Sequence, residues 1–104
     1  MFSIILVIYD PGDNFSHSAA LPKLIESIYR LKGAFELIIV NNADPSACPK
    51  TTQYLRDLIE GKPDIKLVEL DKNYGCAGGF NRAIYAVDKR SDMLVYMSLR
   101  CSYC

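Results

Sequence analysis

The segment NYGCAGGFNRAI, residues 73–84, places three glycines and two asparagines at the start of what reads as a helix. Gly75, Gly78 and Gly79 would let the backbone approach a ligand closely, at a helix N-terminus whose free amides favour anions such as phosphate. The spacing G-x-x-G-G differs from the dinucleotide fingerprint and from a phosphate loop. The glycines alone therefore leave two interpretations open, a ligand-binding turn or a tight turn that only packs a helix on a sheet.

The elements around this segment alternate between strands and helices. Short apolar runs rich in Ile, Val and Leu are typical of strands that are buried on both faces. We predict such strands at residues 2–9, 35–40, 65–70 and 93–97. Helical spacing of apolar residues predicts three intervening helices, at about 18–32, from a cap at Thr51 or Thr52 to Gly61, and from the glycine segment through Val87.

This order predicts a single α/β domain with a parallel sheet of about four strands and helices on both faces, of the Rossmann-like kind. In such sheets, ligands bind outside the carboxyl ends of the strands. The loops that begin at Asp10, Asn41 and Asp71 are therefore the expected location of function, and all three are rich in Asp and Asn.

Charge and composition exclude several classes of partner. Twelve basic and twelve acidic residues cancel, so no broad positive field favours nucleic acid.

The first apolar run has the length of a strand, and it lacks a basic leader and a cleavage site. We expect neither a signal peptide nor a membrane span. Four irregularly spaced cysteines favour a reduced, cytoplasmic protein over a disulfide framework.

Three stretches, FSIILVIYDP, FELIIVNNAD and NYGCAGGFNRAI, occur in an order and spacing that resemble the first half of a family 2 glycosyltransferase. These are inverting enzymes that use nucleotide sugars and have the GT-A fold. The resemblance extends to about Met97, and the form N-x-G-x-x-G-G-x-N is similar to the branch that includes rhamnosyltransferase-like enzymes. It implies the strand order 3-2-1-4 and transfer of a sugar from a nucleoside diphosphate donor to a saccharide or lipid-linked acceptor, in polysaccharide synthesis.

The resemblance also implies which residues bind the nucleotide. Tyr9 and Asp10 match a pair at the end of the first strand that lies against the base. Asn41 and Asn42 stand where the family usually has an Asp that hydrogen-bonds the base, and an amide both donates and accepts where a carboxylate only accepts. The motif that lines the donor site is matched by Asn73, Gly75, Gly78, Gly79 and Asn81. Taken singly, each of these residues has a purely structural alternative, as a turn residue or as part of the core.

Two departures from the family concern catalysis. The fourth strand should lead into an Asp-x-Asp motif whose carboxylates hold Mg²⁺ or Mn²⁺, but Ser98 and Arg100 stand there. A hydroxyl serves a hard cation poorly and a guanidinium repels it, so we expect no metal or other cofactor in this chain. The acidic residue that deprotonates the acceptor hydroxyl is not found before Cys104. We therefore expect residues 1–104 to be a truncated, incomplete nucleotide-sugar-binding domain with no catalytic residue and no activity of its own.

Two alternatives from other classes stay open. A non-catalytic remnant or an oligomerising α/β module would explain the missing metal ligands and base, and an uncovered sheet edge would then favour self-association. A nucleotide-binding regulator with a doubly wound sheet is the third interpretation, although it lacks a dinucleotide fingerprint.

Overall fold

A computed structural model of the chain describes residues 1–9, 20–31, 33–42, 46 and 48–100, with the backbone alone at 9, 20, 76 and 98–100. Strands and helices alternate along it as the apolar pattern predicts. The elements are β1 (Phe2–Tyr9), α1 (Ala20–Tyr29), β2 (Phe35–Asn41), α2 (Pro49–Ile59), β3 (Ile65–Glu69), α3 (Gly75–Ala83) with a following 3₁₀ turn (Ile84–Ala86), and β4 (Met93–Arg100).

The four strands of the described residues form one parallel sheet in the order β3-β2-β1-β4. This confirms both the parallel α/β fold and the strand order. The register aligns the carboxyl ends of β1, β2 and β3, since Ile8 of β1 lies opposite Asn41 of β2, and Asn41 lies opposite Glu69 of β3. The loops that follow these strands therefore leave the sheet at one edge.

Each face of the sheet is covered by helices, because the strands are apolar on both sides. On one face, Leu21 and Ile25 of α1 and Leu55 of α2 pack with Ile4 and Leu6 of β1. On the other face, α3 contributes Ala83 and Phe80 to a cluster whose remaining members are Ile5, Val7, Ile38, Val40, Val68, Leu70, Tyr74, Ala86 and Val87. Helices on both faces were predicted and are confirmed.

The start of α2 was predicted wrongly. Thr51 and Thr52 do not cap the helix but lie buried within its first turns, and the residue at the N-cap is Cys48. Pro49 occupies the first helical position, where the fixed φ of proline suits a helix and its missing amide hydrogen costs nothing. The hydroxyl of Thr52 instead donates to the carbonyl oxygen of Cys48, at 2.9 Å.

The end of α3 also differs from the helical pattern. Ala83 is fully buried as predicted, whereas Ile84 is 43% exposed. The α-helix ends at Ala83 and continues as the 3₁₀ turn. Strand β4 is longer than the predicted 93–97 and reaches Arg100.

A buried carboxylate joins the amino ends of the strands. The Oε2 atom of Glu36, on β2, accepts hydrogen bonds from Ser3 Oγ of β1 and from the backbone N–H of Asp88, both at 2.7 Å. The Oε1 atom lies 2.8 Å from Nζ of Lys66, on β3. One side chain thus links three strands to the segment that leads into β4, at the edge opposite the carboxyl ends.

No helix in the described ranges is long and apolar enough to cross a bilayer.

We expect Glu36→Gln to lower the free energy of unfolding at pH 7 by about 1–3 kcal/mol, because the charge-assisted hydrogen bonds are weakened. Burial would raise the pKa of Glu36, but the hydrogen bonds from Lys66, Ser3 and Asp88 outweigh it, and the pKa lies below its ordinary value of 4.5. A group whose pKa is lowered by folding stabilises the fold fully above the ordinary value, and the stabilisation is lost as the pH falls through the folded value.

Urea unfolding of the wild type and the variant between pH 3 and pH 7 measures this difference. The wild type should lose stability more steeply toward low pH, and the two curves should converge there. Glu26→Gln is the control, because Glu26 is exposed and, among the described residues, pairs with Arg30 on the surface of α1. Equal pH dependence of wild type and Glu36→Gln would contradict the structural role of this carboxylate.

Candidate functional site

The carboxyl edge of the sheet brings together the ends of β1, β2 and β3. The backbone N–H of Asn42 donates to the carbonyl oxygen of Ile8 at 3.2 Å, and the N–H of Leu70 donates to that of Asn41 at 3.1 Å. These bonds continue the strand pairing by one residue. They hold the segment after β2 between the ends of its two neighbours.

Asn42 joins the β2 end to the glycine segment. Its side-chain Oδ1 accepts the backbone N–H of Tyr74 at 2.9 Å, and its Nδ2 donates to the carbonyl oxygen of Gly75 at 2.8 Å. The residue is 1% exposed. Two of the segments predicted to form the site, the end of β2 and the start of α3, are therefore in direct contact.

Asn41 is directed into the protein. It is 2% exposed, and its Nδ2 donates to Thr52 Oγ1 of α2 at 3.0 Å. Because Thr52 in turn donates to the carbonyl oxygen of Cys48, a chain of two hydrogen bonds fixes the start of α2 to the end of β2. The side chain of Asn41, the last residue of β2, therefore has a structural role, because its amide connects the strand to the start of α2.

The turn before α3 is formed by Asn73 and Gly75. Asn73 Oδ1 accepts the N–H of Gly75 at 2.8 Å, which is an Asx-type turn. Gly75 has φ of 76°, in the left-handed region that is open to glycine and strained for other residues. An added Cβ at Gly75 would meet no atom within 4 Å, so the backbone angle alone explains the glycine.

Gly78 and Gly79 lie inside α3 and have a different purpose. A Cβ on Gly79 would lie 3.1 Å from Val7 Cγ1 and 3.2 Å from Asn42 Nδ2. A Cβ on Gly78 would lie 2.8 Å from Cβ of Tyr74. Both glycines therefore permit close packing, Gly79 of the helix against the sheet and Gly78 of the helix against the tyrosine that precedes it.

An exposed cluster beside this turn was not predicted from the sequence. The guanidinium carbon of Arg82 lies 3.4 Å from the ring centroid of Tyr74, and Lys72 Nζ lies 5.1 Å from the same centroid. The Tyr74 hydroxyl donates to Asp71 Oδ1 at 2.5 Å. In the sequence, this contact is indicated by the spacing of Tyr74, Gly78 and Arg82 at i, i+4 and i+8. Gly78 has no side chain, so it leaves room between the other two residues.

The hydrogen bond between Tyr74 and Asp71 shifts both of their pKa values. It is the main reason that the pKa of Asp71 lies below its ordinary value and that of Tyr74 above it. Around neutral pH, the cluster therefore carries one negative charge on Asp71 and two positive charges, on Lys72 and Arg82. Its net charge is positive, beside the N-terminus of α3, which also favours anions.

Three of the remaining predicted residues lie apart from these contacts or are described only in part. Asn81 is exposed on α3. Tyr9 is the last residue of β1 and lies opposite Arg100 of β4 in the register, and only the backbone of both is described. Asp10 lies outside the described residues. The structure thus brings together Asn42, the Asn73–Gly75 turn and Gly79.

Only the backbone of Ser98 and Arg100, at the end of β4, is described. The expectation that no hard cation binds there therefore stays a prediction. The described residues contain no group of three or more His, Cys, Asp or Glu side chains that could hold a metal ion. The described residues at the carboxyl edge offer backbone amides, neutral amide side chains and positive charge.

Comparison with known proteins agrees with this geometry. The model of the family "Glycosyl transferase family 2" matches residues 3–97. An uncharacterized glycosyltransferase from Synechocystis sp. is 34% identical over 73 residues, which cover 70% of this chain and 21% of the relative. The chain thus matches about a fifth of the length of that relative. No solved structure matches the chain significantly. Because the family match covers most of the chain and the sheet has the order that the resemblance implies, the chain belongs to glycosyl transferase family 2.

Proposed function

We propose that this chain supplies the donor-binding part of a glycosyltransferase. The donor is a nucleoside diphosphate sugar, and the acceptor is a saccharide or a lipid-linked saccharide in polysaccharide synthesis. The observation that carries the proposal is the turn at Asn73–Gly75, held by Asn42 at the carboxyl edge of a parallel sheet. This is the location where α/β sheets bind nucleotides.

The charges beside the turn support an anionic ligand. The first amides of α3 are not used by the helix itself, and the helix dipole adds partial positive charge there. Lys72 and Arg82 add two full charges within reach of the same surface. A diphosphate meets all three features, whereas a neutral sugar alone lacks the negative charge that the dipole and the two cations favour.

The nucleotide site that we propose comprises nine residues, which either contact the nucleotide or, like Asn42, hold the backbone around it. They are Tyr9, Asp10, Asn41, Asn42, Asn73, Gly75, Gly78, Gly79 and Asn81. The form of the glycine motif supports the branch with rhamnosyltransferase-like enzymes. A cytoplasmic location is supported by the irregular spacing of the four cysteines.

The diphosphate is bound without a divalent cation in this proposal. Ser98 and Arg100 do not fit a hard cation, and an arginine can neutralise phosphate directly through charge-assisted hydrogen bonds.

A second candidate is an oligomerising α/β module, and strand β4 favours it. Within the described residues, β4 pairs with β1 on one side only. Met93 is 62% exposed and Tyr96 is 43% exposed, and residues 93–99 contain no charge and no proline. Edge strands of monomeric proteins usually carry such protective residues. The occupant that we propose for this edge is a second copy of the chain.

We predict that the 104-residue chain binds UDP, GDP or dTDP weakly, with a dissociation constant of roughly 0.1–1 mM. Adding Mn²⁺ or Mg²⁺ should change the affinity less than about twofold, because the chain lacks the carboxylates that would bridge cation and diphosphate. Titration calorimetry with and without metal measures this, beside an assay for donor hydrolysis. Tight binding that requires metal, or any turnover by this chain, would contradict the proposal.

We predict that Gly75→Ala weakens nucleotide binding by roughly tenfold or more, because a distorted turn loses the backbone geometry that meets the ligand. Gly61→Ala is a matched control. Gly61 has φ of 75°, also has no atom within 4 Å of an added Cβ, and follows α2 at the opposite end from the turn. Both variants should lose about 1–2 kcal/mol of stability from the left-handed backbone.

Calorimetry and urea unfolding of the two glycine variants separate these effects. We expect both variants to lose the same amount of stability, but only Gly75→Ala to lose nucleotide binding. If both variants bind nucleotide like the wild type, the turn is structural and the first interpretation of the glycines fails.

We predict that the wild type self-associates and that Met93→Lys reduces the association, because a charge on the edge strand opposes pairing with another copy. Sedimentation velocity over a hundredfold range of protein concentration measures it. Tyr85→Lys is the control, since Tyr85 is 91% exposed but lies in the 3₁₀ turn rather than on β4. A monomeric wild type, or equal effects of the two variants, would exclude the edge as the interface.

A further inference from the structure

We infer that Asn42 is a positioning residue of the proposed nucleotide site, which shapes the turn before α3 and does not contact the base. The inference rests on the proposed function. It departs from the family resemblance, which implies a side chain at the end of β2 that hydrogen-bonds the base. Here that side chain is 1% exposed and bonded to Tyr74 and Gly75 instead.

The orientation of the Asn42 amide is determined by its two partners. Tyr74 presents a backbone N–H, which requires an acceptor, and Gly75 presents a carbonyl oxygen, which requires a donor. Only Oδ1 toward Tyr74 and Nδ2 toward Gly75 satisfy both. The amide therefore links two successive residues of the turn to the end of β2.

Gly79 closes the remaining side of the amide. A Cβ at Gly79 would lie 3.2 Å from Nδ2 and 3.4 Å from Cγ of Asn42. The amide is thus enclosed by the turn on one side and by the backbone of α3 on the other. A nucleotide base could reach it only if α3 moved away from the sheet, which would expose the cluster around Ala83 and Val7.

The two hydrogen-bond partners of residue 42 explain why this residue is an amide and not a carboxylate. A carboxylate could still accept the N–H of Tyr74. Its second oxygen, however, would lie about where Nδ2 is now, 2.8 Å from the Gly75 carbonyl oxygen, and two acceptors repel each other at that distance. Asn41 is also committed, because its Nδ2 donates to Thr52. Neither of these two amides is then the group that distinguishes one base from another.

The test is the substitution Asn42→Asp, with nucleotide affinity measured by calorimetry between pH 4.5 and pH 8. At pH 8 the introduced carboxylate should weaken UDP, GDP and dTDP by the same factor, roughly tenfold or more. At low pH the introduced group becomes protonated, can donate to Gly75 again, and should restore most of the affinity. A loss of packing alone would not be reversed by protonation.

The wild type over the same pH range is the control, because the other ionisable groups near Asn42 are present in both proteins. Those on the elements that pack around it are Glu36 of β2, Lys66 and Glu69 of β3, Asp71, Lys72 and Tyr74 of the loop, and Arg82 of α3. Circular dichroism at each pH shows that both proteins are folded.

Two results would overturn the inference. If Asn42→Asp changes the order of preference among UDP, GDP and dTDP, residue 42 contacts the base. If the affinity of Asn42→Asp does not recover at low pH, the donated hydrogen bond to Gly75 is not what the site needs.

Amide hydrogen exchange tests the turn without any ligand, so failure of the proposed function is distinguishable from failure of the inference. In Asn42→Ala, the N–H of Tyr74 should exchange at least about tenfold faster than in the wild type, because it loses its acceptor. The N–H groups of the β1 core should keep their relative protection. Unchanged exchange at Tyr74 would show that Asn42 does not hold the turn, whether or not any nucleotide binds.

Discussion

The burial of β1 on both faces and along both edges is the constraint on which the rest of the structure depends. Residues 3–8 of this strand are buried, and it pairs with β2 on one side and β4 on the other. A strand in this position has no polar face, so helices must cover both sides of the sheet. Crossovers between parallel strands then place every carboxyl end at one edge, where the candidate site is found.

Among the described side chains, the buried polar residues of the sheet lie near its two ends and have hydrogen-bond partners. At the amino end, Glu36 is bonded to Ser3, Lys66 and the backbone of Asp88. At the carboxyl end, the amides of Asn41 and Asn42 are bonded to α2 and to the turn before α3. A buried polar group without a partner costs free energy, whereas one with partners favours a single arrangement of the groups around it. The two ends therefore fix how the loops and helices join the sheet.

In the NYGCAGGFNRAI segment, one glycine is needed for its backbone conformation and two are needed for close packing. Gly75 supplies a left-handed backbone angle, Gly79 lets α3 approach Val7 and Asn42, and Gly78 leaves room for Tyr74. The two interpretations of the glycines that were open from the sequence are thus not exclusive. Close packing is what brings the α3 N-terminus, with its amides and the charges of Lys72 and Arg82, to the edge of the sheet.

The sequence by itself determined the parallel α/β architecture, because long apolar runs and helical spacing are local patterns that survive in the fold. With the family resemblance, it also identified the strand order and two segments that meet at the carboxyl edge, the end of β2 and the turn before α3. It did not determine the start of α2, because the helix begins with Pro49 at its first position and neither Thr51 nor Thr52 caps it. Nor did it reveal the Tyr74 and Arg82 contact, or that the amides of Asn41 and Asn42 are bonded inside the protein. Those features depend on which groups approach each other across tens of residues, and only tertiary packing decides whether a polar side chain is bonded within the protein or open to a ligand.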